Sequence, residues 1–361
     1  MDAGELESLG VYDPRDEHAG LRLELLRYLI DLGATADDLV TYRDLLPGLA
    51  AVLAIRGGQL LTVEDVGQRS GLTIDEVRRL IRAAGFPDPQ AGARVCIEGF
   101  AVLASNARAG ADVFGDEALF QLLRVMGSAM ARVADAVVST FMVNIAPAAR
   151  SEDPVGLAVA QANVEAAALL PLVAPLLDLL FRQHLLAAQR TVFADVDAVG
   201  YETQWLAVGF VDLVGFTSLG EQLSLRDFGG VVTRFEQLAT DTVTASGGRV
   251  VKLIGDEILF TTPDAVSACT LALDLSQVCQ DQPLLPSVRA GVAMGRVMLR
   301  DGDVFGPVVN LAARLVKAAE PGEVVATADV ADASGLRSET HGRHRLTGGT
   351  GDVELRRIIR S

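Results

Sequence analysis

The apolar residues of this chain change their spacing near residue 200, and no single fold class accommodates both patterns. Up to about Val199 they recur at helical intervals, as in Leu21, Leu25, Tyr28 and Leu29, or Leu176, Leu177, Leu180 and His184. That spacing lines one face of an α-helix. From Trp205 onward, short β-branched runs (205–211, 249–254, 258–261, 288–293 and 323–326) alternate with helical stretches at 225–245, 265–279 and 308–318. A β-α-β-β-α-β order with a later α-β unit predicts a mixed sheet covered by helices. The fold class expected is α+β. An all-α domain spans residues 1–200 and includes a linker helix at about 176–199; a ferredoxin-like domain follows at 201–361.

Charge narrows the partners. Acidic residues outnumber basic ones 47 to 31, a formal charge of −16, and such a surface repels phosphate backbones unless a basic patch interrupts it. No nucleic-acid partner is expected. Thr62-Val-Glu-Asp65 and Thr73-Ile-Asp-Glu76 each carry a helix-start pattern, and 61–80 reads as helix, turn, helix. Its arginines, Arg78, Arg79 and Arg82, are balanced by Glu64, Asp65, Asp75 and Glu76, so the segment reads as a packing unit. Cys96, Cys269 and Cys279 are odd in number and lack metal-ligand spacing, which fits buried thiols in a reducing compartment. The N-terminus has no basic segment followed by an apolar core. The most apolar stretch, 155–188, is broken by Glu165, Asp178 and Arg182, whereas a membrane span needs about 20 nearly uncharged residues. A cytoplasmic protein without a transmembrane segment is expected.

Three segments carry chemistry. Phe210-Val-Asp-Leu-Val-Gly-Phe-Thr217 places Asp212 at the end of a buried strand, followed by Gly215, Phe216 and Thr217, where backbone N–H groups can approach an anion. Lys252-Leu-Ile-Gly-Asp-Glu257 puts Asp256 in a tight turn that Gly255 closes. Two carboxylates at neighbouring strand ends beside a glycine-containing loop suit oxygen-seeking cations and a triphosphate. In Asp303-Val-Phe-Gly-Pro-Val-Val-Asn-Leu-Ala-Ala-Arg314, Asn310 and Arg314 lie four apart on a helix and share a face. Lys252 is one of two lysines in the chain, and its place inside what reads as a buried strand points to a need for a compact ammonium.

Together these segments resemble the class III nucleotidyl cyclases over residues 205–357. The resemblance implies that Asp212 and Asp256 hold two ions, Mg2+ or Mn2+, and that Asn310 and Arg314 orient the ribose and stabilise the transition state. It assigns purine selection to Lys252 and Asp303. Chemistry agrees: adenine offers an acceptor at N1 and a donor at N6, whereas lysine only donates and an ionised aspartate only accepts. The implied activity is conversion of ATP to 3',5'-cyclic AMP and pyrophosphate, at sites shared across a homodimer. Many relatives carry a late lysine on the triphosphate; Arg345-Leu-Thr-Gly-Gly-Thr-Gly351 has none, which leaves Arg343 or Arg345 as substitutes. The first 200 residues resemble the helical regulatory domain of two-domain mycobacterial-type adenylate cyclases, which implies lipid or proton sensing. His184 in the linker is the residue expected to respond to protons.

Overall fold

The computed structural model describes residues 1–56, 60–144, 153–189, 195–196, 202–345 and 352–360. It divides into two compact units, 1–189 and 190–361. Among the described residues the first unit is helical apart from one antiparallel bridge between Leu61 and Cys96: α1 (Ala3–Ser8), α2 (Ala19–Asp31), α3 (Ala36–Thr41), α4 (Leu46–Arg56), α5 (Val63–Ser70), α6 (Ile74–Ala83), α7 (Gly99–Phe114), α8 (Asp116–Asn144), α9 (Leu157–Ala167) and α10 (Leu170–Gln189).

Both sequence-marked helix starts are reciprocal capping boxes. The Thr62 side chain accepts from Asp65 N–H, and the Asp65 carboxylate accepts from Thr62 N–H; Thr73 and Glu76 repeat the arrangement. Two apolar clusters hold this unit. One gathers Leu25, Leu26, Leu29, Leu39, Leu46 and Leu49, the other Val66, Val77, Leu80, Ala104 and Phe120.

The second unit runs β1 (Asp195–Val196), β2 (Glu202–Leu213), α11 (Phe216–Gln222), α12 (Leu225–Ala245), β3 (Arg249–Ile254), β4 (Glu257–Thr262), α13 (Ala265–Gln280), β5 (Val288–Arg300), β6 (Asp303–Phe305), α14 (Pro307–Ala318), β7 (Val324–Thr327), α15 (Ala328–Ser334), β8 (Ser338–Arg345) and β9 (Asp352–Ile358). The strands lie in the order β3-β4-β2-β5-β7-β9-β8, with β1 on β2 and β6 on β5. β5 and β7 pair in parallel and the other pairs are antiparallel.

Alternation along β2 builds two cores. Ala207, Val211 and Leu213 face α12 and α13, while Val208 and Phe210 face α14 with Val308, Ala312 and Leu315. By the same alternation Asp212 falls on the α14 side. Strand β3 lies at the edge of this order, which corrects the expectation for Lys252: its strand is a partly exposed edge, and the side chain is 41% exposed. Cys96, Cys269 and Cys279 are buried free thiols, with burial pushing Cys269 up to about 12 and Cys279 up to about 11.

Helix α14 lies directly on the sheet because β5 has no side chain at residue 291. A Cβ on Gly291 would meet Val316 N at 2.5 Å and Ala312 O at 2.7 Å. Gly291→Ala must therefore push α14 away, at a cost of about 1–3 kcal/mol as for other overpacked cores. The expected result is a lower urea midpoint for the full chain by circular dichroism. An unchanged midpoint would mean that the helix moves freely.

Candidate active site

Strand β2 is paired on both sides along its apolar half, and this register builds the carboxylate centre. Asp212 stands opposite Glu257 on β4 and opposite Arg289 on β5. The Arg289 guanidinium donates to Asp212, with Nη2 at 2.7 Å and Nε at 2.8 Å from Oδ2. Asp256 follows Gly255 in the two-residue link from β3 to β4, where Gly255 takes a φ of +65°. The Asp256 carbonyl accepts from Leu213 N–H at 3.1 Å, which seats the turn against the end of β2.

Negative charge is crowded here. Burial raises Asp256 above the usual carboxylate range, and Asp212 alongside adds to the rise. Burial, reinforced by Asp212 and Asp256, pushes Glu257 up to about 7, against the opposing pull of Lys317 and Arg289. A carboxylate pair held together against its own repulsion fits a divalent cation with oxygen ligands. Among the described residues, however, no three His, Cys, Asp or Glu side chains form a ready metal cage. Further donors would have to come from a ligand, water or backbone. The Gly215–Thr217 turn leads from β2 into α11, with Gly215 at a φ of +76°.

A second centre forms where the β5–β6 hairpin meets the edge strand. Asp301 and Gly302 make its two-residue turn, both at positive φ (56° and 83°), and Arg300 pairs with Asp303. Arg249 donates to Gly302 O at 2.8 Å, and Lys252 Nζ lies 2.5 Å from Asp303 Oδ2. The carboxylate is fixed from its other oxygen, which accepts from Val304 N–H at 2.8 Å. On α14, Asn310 is exposed and Arg314 half-buried. Lys317 continues the same face one turn on.

The structure thus brings Asp212 to Asp256 and Lys252 to Asp303, and puts Asn310 and Arg314 on one helix face. Sequence reasoning missed Arg289, Glu257 and Lys317. Glu257 directly follows Asp256 and Lys317 lies three residues after Arg314, so both were within reach of the motifs; Arg289 needed the strand register. Arg343 and Arg345 are exposed on β8, and 346–351 of the glycine-rich segment lie outside the described residues.

In the first unit, His184 is exposed on α10, where Leu176 and Leu180 are also exposed. The apolar packing expected around it is not supplied within the described residues of the chain. Linker residues 190–194 and 197–199 lie outside them. A cavity of about 650 Å3 opens between α4, α8 and α9, lined by apolar groups such as Ile55, Val138, Phe141 and Val159, with Arg22 and Asp44 among its polar groups. Asp116–Val143 and Leu157–Ala188 are long and apolar enough to cross a membrane by length and composition alone, which is weak evidence. In the helix-turn-helix segment, Arg78 donates to Pro89 O, Arg79 pairs with Glu117 and lies over the Phe120 ring, and Arg82 pairs with Asp88. These guanidiniums are engaged in packing the unit.

Comparison with known proteins agrees with this division. Residues 13–189 match the adenylate cyclase regulatory domain and residues 200–354 match the adenylate and guanylate cyclase catalytic domain. An uncharacterized protein of Mycobacterium tuberculosis strain H37Rv is 34% identical over 92% of this chain and 87% of its own length. An adenylate cyclase of Streptomyces coelicolor is 33% identical over 85% of this chain and 73% of its own. A pH-sensitive adenylate cyclase of M. tuberculosis strain CDC 1551 is 30% identical over 94% and 88%. Among solved structures, the adenylyl cyclase CyaB from P. aeruginosa is 23% identical, covering 44% of this chain and 97% of that one at a TM-score of 0.41. With both domain models matched in order and relatives aligned along nearly the whole chain, the protein belongs to the class III adenylate cyclases that join a helical regulatory domain to a cyclase catalytic domain.

Proposed function

We propose that this chain converts ATP to 3',5'-cyclic AMP and pyrophosphate, as a homodimer with two equivalent sites, under control of its N-terminal domain. The observation that carries the substrate choice is the meeting of Lys252 with Asp303, groups 51 residues apart in sequence. Presented to a purine, Lys252 donates to adenine N1 and Asp303 accepts from N6. Guanine would leave these groups facing its own donor and acceptor, a loss of about 1–3 kcal/mol for each unpaired group.

Asp212 and Asp256 are the residues that would hold two divalent ions, Mg2+ or Mn2+. Such ions supply Lewis acidity toward the 3'-hydroxyl and neutralise phosphate charge. The chain's own groups do the rest. Asn310 orients the ribose so that the 3'-oxygen lies in line with the α-phosphorus, and Arg314 stabilises the charge that gathers there as the new P–O bond forms and pyrophosphate departs. Backbone N–H groups of Gly215, Phe216 and Thr217 face the phosphates. Arg289, already beside Asp212, supplies a fixed cation where a late lysine is missing from the sequence.

The spatial order of the first four long strands, second-third-first-fourth, together with the β-α-β-β-α-β connectivity, supports a ferredoxin-like core. The proposed domains, 1–200 and 201–361, are supported by a division into two compact units, 1–189 and 190–361. The exposed apolar face of α10 supports a regulatory domain that pairs with a second copy, with His184 on the shared surface. The cavity between α4, α8 and α9 is consistent with an apolar regulatory ligand. The charges that interrupt both long apolar stretches support a cytoplasmic protein.

Two outcomes test the chemistry and the substrate choice. Asp212→Ala or Asp256→Ala should lower cyclic AMP formation by about 100-fold or more while circular dichroism stays native, because a carboxylate ligand contributes several kcal/mol to the transition state. Near-normal turnover in either variant would remove the mechanism. Lys252→Glu combined with Asp303→Cys should depress ATP turnover sharply relative to GTP; an unchanged ratio would dismiss the purine assignment.

The shared site has its own test. Asp212→Ala and Arg314→Ala should each be inactive, yet an equal mixture should recover up to about a quarter of wild-type activity, since half the dimers are mixed and one of their two sites is intact. No recovery among demonstrated heterodimers would place each site within one chain.

A further inference from the structure

The two residues assigned to purine selection sit on strands that do not pair with each other. Lys252 is on β3, an edge of the sheet, and Asp303 is on β6, which lies against β5; in ladder order β4, β2 and β5 separate them. The side chains nevertheless meet, with Lys252 Nζ 2.5 Å from Asp303 Oδ2, so the β5–β6 hairpin reaches back to the edge strand. Hydrogen bonds of the ladder do not fix that approach. The spacing of the pair therefore depends on whatever else fastens the hairpin to β3.

A β-bulge supplies a second contact. Arg249 and Lys252 are three residues apart, and in a regular strand they would point to opposite faces. The register with β4 shifts between Val250 and Lys252: Arg249 stands opposite Thr261 and Lys252 opposite Leu259, with Val251 as the extra residue. Thr261 and Leu259 are two apart and share a face, so Arg249 and Lys252 turn to the same side. There they take adjacent residues of the hairpin, since Arg249 Nη2 donates to Gly302 O at 2.8 Å while Lys252 takes Asp303. Gly302 lies in the two-residue turn, outside the ladder that Arg300 and Asp303 close, so its carbonyl can accept from another strand.

We propose that Arg249 is a positioning residue for purine selection: it clamps the hairpin to β3 and so holds Asp303 at a set distance from Lys252 while the base is bound. The proposal rests on the reading of Lys252 and Asp303 as the pair that recognises the purine edge. The two contacts respond differently to a nucleotide. A base that takes the Lys252 ammonium and the Asp303 carboxylate competes with their ion pair, so that pair cannot both hold the strands and read the base. The Arg249 bond ends on a main-chain carbonyl and involves neither group, so it persists when the ion pair opens. It acts one residue from Asp303, whose other carboxylate oxygen accepts from Val304 N–H at 2.8 Å. With the hairpin and the carboxylate both held, the acceptor for adenine N6 keeps little freedom. Without Arg249 the carboxylate would follow the motion of the hairpin. Discrimination built on hydrogen bonds to the base would then fall, because such bonds weaken steeply with distance and angle.

The experiment compares kcat/KM of the full chain for ATP, GTP and purine riboside 5'-triphosphate, which lacks the 6-amino group that Asp303 accepts from. Arg249→Met keeps the apolar stem and removes the donor. It should lower the preference for ATP over purine riboside triphosphate, and over GTP, by about 3–10-fold, the worth of about one hydrogen bond. The loss should fall mainly on KM for ATP, with a native circular dichroism spectrum. Arg249→Lys, which still donates, should restore most of both preferences. A residue that merely stabilised the sheet would lower turnover of all three nucleotides together; preferences unchanged in Arg249→Met would therefore overturn the proposal. Lys252→Glu with Asp303→Cys separates this failure from that of the reading beneath it. Preferences moved by that pair but not by Arg249→Met would remove the clamp alone, whereas preferences moved by neither would remove the purine assignment and the clamp together.

Discussion

The position of β2 between β4 and β5 is the constraint from which the catalytic unit is built. A strand paired on both sides cannot slip by one residue without turning Val208, Phe210, Ala207 and Val211 into the wrong cores. The same register that protects this burial puts Asp212 opposite both Glu257 and Arg289. Three ionisable groups thus meet as a by-product of apolar packing, and the strand ends spare them the full cost of interior burial. The glycine at 291 extends the constraint to α14, since the helix that carries Asn310 and Arg314 can approach only where β5 lacks a side chain.

The parts of this arrangement that depend on neighbours in sequence were readable without coordinates. Helix α12 begins and ends at Leu225 and Ala245 as the periodicity required, and β3 at Arg249 and Ile254 likewise. Asp212, Asp256, Asn310 and Arg314 announce themselves through glycine placement and helical spacing. Arg289 did not: one arginine before an apolar run says nothing until β5 is laid against β2. The length of β5 was also underestimated, because Gly291 and Gly295 dilute the β-branched signal in a strand that runs to Arg300. Lys252 was misjudged for a related reason, since an edge strand and a central one have similar composition and only pairing distinguishes them. β8 escaped notice because its Ser-Glu-Thr-His-Gly-Arg-His-Arg sequence is polar throughout, and the one strand it pairs with is β9.

The helical unit follows a different logic. Its two cores are made by short helices with capping boxes, which fix where each begins. Its two longest helices contribute little to those cores: along α8 and α10, Met126, Met130, Val138, Leu172, Leu179, Phe181 and Leu186 are exposed. Apolar residues spread around a helix rather than confined to one stripe are costly to leave in water, at about 25 cal/mol per Å2. Their retention in a sequence this acidic implies that the faces are covered when the protein works, a role that the proposed pairing with a second copy would fill.

Charge distribution completes the account of how an acidic protein accepts a polyanion. A net charge of −16 opposes ATP at long range, but at about 0.15 M salt the field is screened within about 8 Å. Local charge therefore decides. Both lysines of the chain bear on the candidate site: Lys252 meets Asp303, and Lys317, on the face of Asn310 and Arg314, acts on Glu257. Arg289 adds a guanidinium at Asp212. Each of these cations is matched to a carboxylate in the chain as it stands, so an incoming nucleotide does not meet bare positive charge. On the proposed reading it exchanges partners: a purine edge would enter between Lys252 and Asp303, and cations held by Asp212 and Asp256 would offset the repulsion between these carboxylates. On the proposed reading, a divalent cation bound to the triphosphate lowers its negative charge, so an acidic surface repels the metal complex less than it repels the free nucleotide.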